Sequence, residues 1–255
     1  MRNSFSIKTI CIVSIILLSV GCSLANSGKQ NKPSPKGKKE VIQINPDKLI
    51  PYPDFPIQKF LAMQEKLDKG NVGEAEAKLL VDSIDKAVLY DIIYSEGCSW
   101  YCGGSYKSLT SSSCQKNTGK IGYQATNAHD FDLTTAWVEG AEGQGIGESL
   151  TYTFAGNCPR ITAFEVVNGY VKSEQAWQEN SRVRQLKVYY NNRPYKVLNL
   201  KDMRGMQIFK VDTLGYHQEG AKDWSLKFEI LDVYPGTKYE DTAITEIHFD
   251  GIDVH

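Results

Sequence analysis

The sequence predicts a mainly β protein, a jelly-roll β-sandwich preceded by a short α-helical segment. Three observations carry this. Apolar and polar residues alternate with a period of two through most of the second half. Gly, Pro, Asn and Asp punctuate those runs at short intervals. No strand–helix–strand alternation occurs, which argues against a parallel sheet. The elements divide the 255 residues into four stretches, 1–21, 22–50, 51–118 and 119–255.

Residues 1–21 read as an export signal. Arg2 and Lys8 flank the start of ICIVSIILLSV, an apolar core of about 11 residues, where a spanning helix needs roughly 20. The core runs into Ser19-Val20-Gly21-Cys22, which resembles a bacterial lipobox, although Ser19 stands where Leu is usual. Cys22 is then the lipid attachment residue; the alternative is an ordinary secretory signal cleaved nearby. Removing residues 1–21 takes away Arg2 and Lys8 and no acid, so the net charge moves from −1 to −3. That balance does not suit nucleic acid as a partner. Ser23 carries no charge, which in some bacteria permits sorting to the outer membrane or cell surface.

Residues 22–50 read as a disordered tether. Pro33, Pro35 and five lysines between Lys29 and Lys39 leave little apolar surface to bury.

Residues 51–118 read as a helical hairpin and a Cys-rich connector. Ile57, Phe60, Leu61 and Leu67 share one helix face, and Gly70-Asn71-Val72-Gly73 breaks the pattern. Asn71 with Glu74 caps a second helix, in which Leu80, Ile84, Val88 and Ile92 recur every four residues. With Cys11 and Cys22 set aside, Cys98, Cys102, Cys114 and Cys158 form an even set in an exported chain, and two disulfides are expected. The rival is a zinc site, which the Cys98-x3-Cys102 spacing and the scarcity of histidine disfavour.

Residues 119–255 carry the strands. Leu150, Tyr152 and Phe154 alternate with Ser149, Thr151 and Thr153; Leu186, Val188 and Tyr190 alternate with polar neighbours before the turn Asn191-Asn192. Trp224, Leu226, Phe228 and Ile230 do the same, and Ile247 and Phe249 close the chain. Residues 161–168, 195–200 and 206–211 complete a set of seven or eight strands, the content of a sandwich.

Within this stretch, Asn127-Ala128-His129-Asp130-Phe131-Asp132-Leu133-Thr134-Thr135-Ala136-Trp137 resembles the N-A-x-D-G-D-x-x-T-x-W signature of discoidin (coagulation factor type C, galactose-binding-like) domains. VEGAEGQGIGE, VVNGYVKSEQAWQENSRVRQLKV and LDVYPGTKYEDTAITEIHF are similar to one subfamily, the discoidin-like domain named for NAD-glycohydrolase toxin translocation. The resemblance covers about half the chain and implies a β-sandwich binding module with sugars as the ligand class. It does not imply NAD hydrolysis, which belongs to a separate domain of the toxin. Phe131 stands where the signature has Gly, and this predicts an altered loop conformation, because Phe rarely adopts positive φ.

The candidate chemistry falls in two groups. Asp130, Asp132 and Thr135, with Glu246 late in the chain, offer hard oxygens suited to Ca2+. Discoidin-like lectins are similar in holding calcium between this loop and a late Glu; turn hydrogen bonding by the aspartates is the open alternative. Sugar recognition needs flat apolar rings beside planar polar groups. Tyr170, Trp177 and Tyr239 offer the rings, and Glu139, Glu174, Asn180, Arg182 and Asp241 the polar groups. Salt bridges that fix the loops are the competing role, and Glu139, Arg182 and Asp241 can equally form one buried network. Trp137 is expected in the core. No G-x-S-x-G or H-E-x-x-H occurs, and the glycine-rich run from Gly140 to Gly147 lacks the Lys-Ser/Thr of a phosphate loop, so no catalysis and no organic cofactor are expected.

These expectations combine into a non-catalytic carbohydrate-binding module on a lipid-anchored envelope protein, with a glycan and the membrane as partners. The rival is an envelope protein-interaction or structural lipoprotein without sugar binding.

Overall fold

The sandwich is built from strands β1 (Ile42–Ile44), β2 (Lys48–Pro51), β3 (Tyr106–Ser111), β4 (Trp137–Val138), β5 (Ser149–Phe154) and β6 (Arg160–Asn168). It is completed by β7 (Ser181–Tyr190), β8 (Arg193–Asn199), β9 (Gly205–Leu214), β10 (Trp224–Tyr234) and β11 (Thr242–Ile252). These come from a computed structural model, which describes residues 41–51, 62, 65–70, 72–85 and 100–254. Helices α1 (Glu74–Asp85) and α2 (Glu174–Glu179) and two single 3-10 turns, Trp100–Cys102 and Ala125–Ala128, complete the elements.

One strand makes the two layers. β11 begins parallel to β7, with Thr242 and Ala243 opposite Ser181 and Arg182. From Glu246 onward it runs antiparallel to β6 instead. The order β2-β9-β6-β11 therefore turns over into β7-β10-β5-β3, with β8 and β1 beside β7. The inner faces meet through aromatic rings: Phe164 on β6 lies 5.2 Å from Phe228 on β10, and Phe249 on β11 lies 5.4 Å from Phe154 on β5. Ile247 and Phe249 join this aromatic core, and a slip of one residue would put Glu246 and His248, themselves buried on the strand, in their place. Trp137 is fully buried, and its Nε1 donates to the Ser113 carbonyl at 2.9 Å.

The β7–β8 hairpin turns at Asn191 and Asn192 with φ of 50° and 62°, the pair of positive angles that a two-residue type I′ turn requires.

The structure corrects the boundaries read from the sequence. β1 and β2 lie in the stretch read as a tether: β1 pairs parallel with β8, and β2 pairs antiparallel with β9. β3, read as connector, pairs with β5. The described residues all fall in one compact unit. These strands are short, and a three- or four-residue strand shows no period; Ile50 alone of β2 is buried. In the helical segment, α1 matches the second predicted helix, and residues 65–68 are helical. Asn71, Val88, Ile92, Cys98 and Cys22 lie outside the described residues.

The cysteines also depart from expectation. Cys114 and Cys158 are free, the first exposed and the second buried, while Cys102 is not among the free thiols. The Cys158 thiol sits 3.5 Å from the Ser105 carbonyl, just before β3, whereas Cys114 follows β3. Six residues of extended strand separate those ends by about 20 Å, far beyond the roughly 7 Å Cα separation a disulfide tolerates.

Candidate functional site

At one end of the sandwich, β3, β6 and β10 finish while β5, β7 and β11 begin, and their connections enclose a cleft of about 580 Å³. The connection between β6 and β7 contributes Tyr170, Lys172 and α2. Ser173 caps α2 by accepting from the Ala176 amide at 3.0 Å, and this turns Ala176, Glu179 and Asn180 toward the opening. Tyr239 and Asp241 come from the approach to β11, and Gln115 from the segment after β3. The floor is apolar: Val138, Tyr170 and Ala176 pack together with Tyr123 against them.

Four of the eight residues expected to bind sugar line this cleft, namely Tyr170, Asn180, Tyr239 and Asp241. Tyr170 is buried to 4% exposure, donates its hydroxyl to the Thr134 carbonyl at 3.2 Å, and has its pKa pushed by burial to about 12. Tyr239 is 42% exposed. Asn180 holds the end of α2 through its amide to the Ala176 carbonyl at 2.8 Å, and Asp241 accepts from Gln115 Nε2 at 3.0 Å.

The other four do not line it. The Glu139 carboxylate is fully buried and accepts from the amides of Ala141 and Thr242 at 2.8 and 3.1 Å, clasping the loop before β5 to the start of β11. Burial raises its pKa. A side chain at Gly145 would collide with this carboxylate, and Gly145 also has a φ of 66°. Arg182 grips Asp202 with one edge of its guanidinium, Nε and Nη2 donating at 2.9 and 3.0 Å, and its Nη1 donates to the Asn180 carbonyl at 3.0 Å. Its guanidinium also covers the Trp177 ring at 4.6 Å, so Trp177 is a packing residue and not an open stacking platform. Glu174 faces Arg204 at 3.6 Å and Gln178 at 2.8 Å. Glu139, Arg182 and Asp241 thus make three separate sets of bonds, not one network.

Sequence reasoning missed Tyr123, Gln115 and Glu179 as cleft residues and Asp202 as the partner of Arg182. The pairing of β3 with β5 and the backbone bonds of Gln115 and Tyr123 to Val138 bring this segment to the open end, and neither residue lies in a periodic stretch.

The candidate calcium residues make turn bonds. Asp130 accepts from the Asp132 amide at 2.9 Å and the Thr135 hydroxyl at 2.7 Å, and Asp132 accepts from the Thr134 amide at 2.8 Å. Phe131 takes a φ of 61°, a left-handed angle that favours glycine and that Phe rarely adopts. Its ring compensates by stacking on His248 at 4.5 Å and meeting Tyr101 edge-on at 5.0 Å. Glu246 is fully buried; Oε2 pairs with His248 Nε2 at 3.0 Å, and Oε1 has no hydrogen-bond partner. Burial first, and Asp130 beside it second, raise its pKa well above the carboxylate range. Among the described residues, no three His, Cys, Asp or Glu side chains come together to hold a metal. A cation at the orphaned Glu246 oxygen would therefore have to lean on Thr135 and backbone carbonyls as well.

Among solved structures, the chain is similar to the module CpGH89CBM32-5 of Clostridium perfringens, in complex with GalNAc-β-1,3-galactose, at 16% identity and a TM-score of 0.41, over 56% of this chain and 94% of that one. It is similar to the CBM32-1 and CBM32-2 domains of Clostridium perfringens ZmpB in complex with GalNAc, at 11% identity and a TM-score of 0.42, over 77% of this chain and 49% of that one. The arabinofuranosyltransferase AftD from Mycobacteria matches at 18% identity and a TM-score of 0.41, over 60% of this chain but 11% of the transferase. No curated protein matches the chain. The family profile described as the NAD glycohydrolase translocation F5/8 type C domain matches residues 100–250, the span that holds β3 to β10, all but the last two residues of β11, and the whole cleft lining. By that match the chain belongs to the NAD glycohydrolase translocation F5/8 type C domain family.

Proposed function

We propose that this protein is a non-catalytic carbohydrate-binding module held on the bacterial envelope by a lipid at Cys22. The cleft carries the reading: an apolar floor with aromatic edges, walled by amides, two carboxylates and two lysines, answers the two faces of a sugar ring. Its volume of about 580 Å³ lies within the roughly 300–1,000 Å³ of small-molecule sites. The residues that do not enter the cleft hold it in shape, since Arg182, Glu139 and Trp177 fix the three connections around it.

A glycan array probed with the full chain tests the reading, with Tyr239→Ala as control. Retention of one glycan group, lost in the variant, is the expected result. Capture of an envelope protein that survives excess free sugar would favour the interaction-module alternative. Anchoring at Cys22 predicts fatty-acid labelling of the chain that Cys22→Ser abolishes. A calcium ion at Asp130, Asp132, Thr135 and Glu246 belongs to the same proposal. It predicts a higher Tm with calcium than with chelator, and an unchanged Tm would contradict it.

A further inference from the structure

The charges around the cleft narrow the ligand class. Four charged side chains line it, two of each sign: Lys116 and Lys172, Glu179 and Asp241. Both carboxylates already accept protein donors. Asp241 takes the Gln115 amide at 3.0 Å, while Glu179 takes the Gln175 amide at 2.8 Å and faces Lys238 at 3.7 Å. The Lys172 ammonium lies over the Tyr170 ring at 4.3 Å, and Lys238 lies over Tyr239 at 4.8 Å. An anionic ligand would meet two carboxylates within a Debye length, and a cationic one would meet two lysines. Neither sign of charge finds a concentrated counter-charge, which specific capture of an ion needs.

What the cleft does concentrate is neutral: the amides of Gln115, Gln175 and Asn180 above an apolar floor of Val138 and Ala176. We infer that the ligand is an uncharged oligosaccharide of more than one ring, and that the cleft discriminates against sialylated, uronic and sulfated glycans. This rests on the carbohydrate reading above. The amide nitrogens of Gln115, Gln175 and Asn180 donate to Asp241, Glu179 and the Ala176 carbonyl, which leaves their neutral amide oxygens to accept from hydroxyl or acetamido groups, and the volume exceeds what a single pyranose ring fills.

The test is calorimetric titration of the full chain with neutral oligosaccharides and with the same oligosaccharides bearing a carboxylate or sulfate, at about 50 mM and about 500 mM salt. Neutral glycans are expected to bind with less than about twofold change across the salt range, and their acidic counterparts about tenfold more weakly. Tighter, salt-sensitive binding of acidic glycans that Lys116→Ala abolishes would overturn the inference and leave carbohydrate binding standing. Binding of neither kind would overturn both.

Discussion

Phe131 occupies backbone space that glycine fills at little cost, and its φ of 61° carries a penalty of about 1–2 kcal/mol for an L-residue. Its stack on His248 offsets that strain. Phe131→Ala keeps the angle and loses the stack, so it is expected to lower stability by about 1–2 kcal/mol, with Phe131→Gly less destabilising. Thermal melts of both variants check the order. The motif made the loop legible, but the aromatic lid was not, because His248 and Tyr101 lie more than a hundred residues away from one another in the sequence. Titration is a second property at this scale. Burial raises the pKa of Glu165 from 4.5 to about 7, with Asp250 adding to the rise and Lys48 opposing it. Between those values the folded state binds the extra proton, so this group's contribution to stability falls as pH rises. His129, lowered by burial from 6.5 to about 4, works in the other direction: the unfolded chain takes the proton first, and stability is lost as pH falls through that window. Glu165→Gln should therefore gain stability relative to the parent as pH rises from 4.5 to 7, by about 1–3 kcal/mol, as measured by urea unfolding at each pH.

Strands with one buried face were legible because alternation is a direct trace of burial, and β5, β7 and β10 were found on it. β1 and β2 left no such trace: each is short, and hydrogen bonding to the edges of β8 and β9 places them. Their removal uncovers both edges. A chain beginning at residue 52 is expected to lose stability and to associate, whereas one beginning at residue 41 should not, as read by melting and light scattering. Ile50→Ala, which empties the β2 contact with Val167 and Met206, should cost about 2 kcal/mol. The ends of β3 separate the free thiols in the same way. An alkylating reagent on the native protein should label Cys114 rapidly and Cys158 only upon unfolding, the outcome opposite to a Cys114–Cys158 disulfide.

At the scale of the whole molecule, the sandwich has two unlike ends. One is closed by Trp100 against Pro159 and by the Arg160–Asp253 pair, and the other opens into the cleft. Three connections from separate parts of the chain meet at the open end, which explains why half of the sequence-read sugar residues line the cleft and half brace it. Composition and motif identify the loops that carry a site; which side of each loop faces the opening depends on partners such as Asp202 and Thr242, far away in sequence. The measurement that most directly tests the central claim is the affinity of the full chain for its best-bound glycan, compared with Tyr239→Ala and Asn180→Ala, with Tm recorded for each. The account predicts that each substitution weakens binding about tenfold, or about 1.4 kcal/mol, while Tyr239→Ala leaves Tm unchanged. Glycan affinity unaltered in both variants, or no affinity in the parent chain, would contradict it.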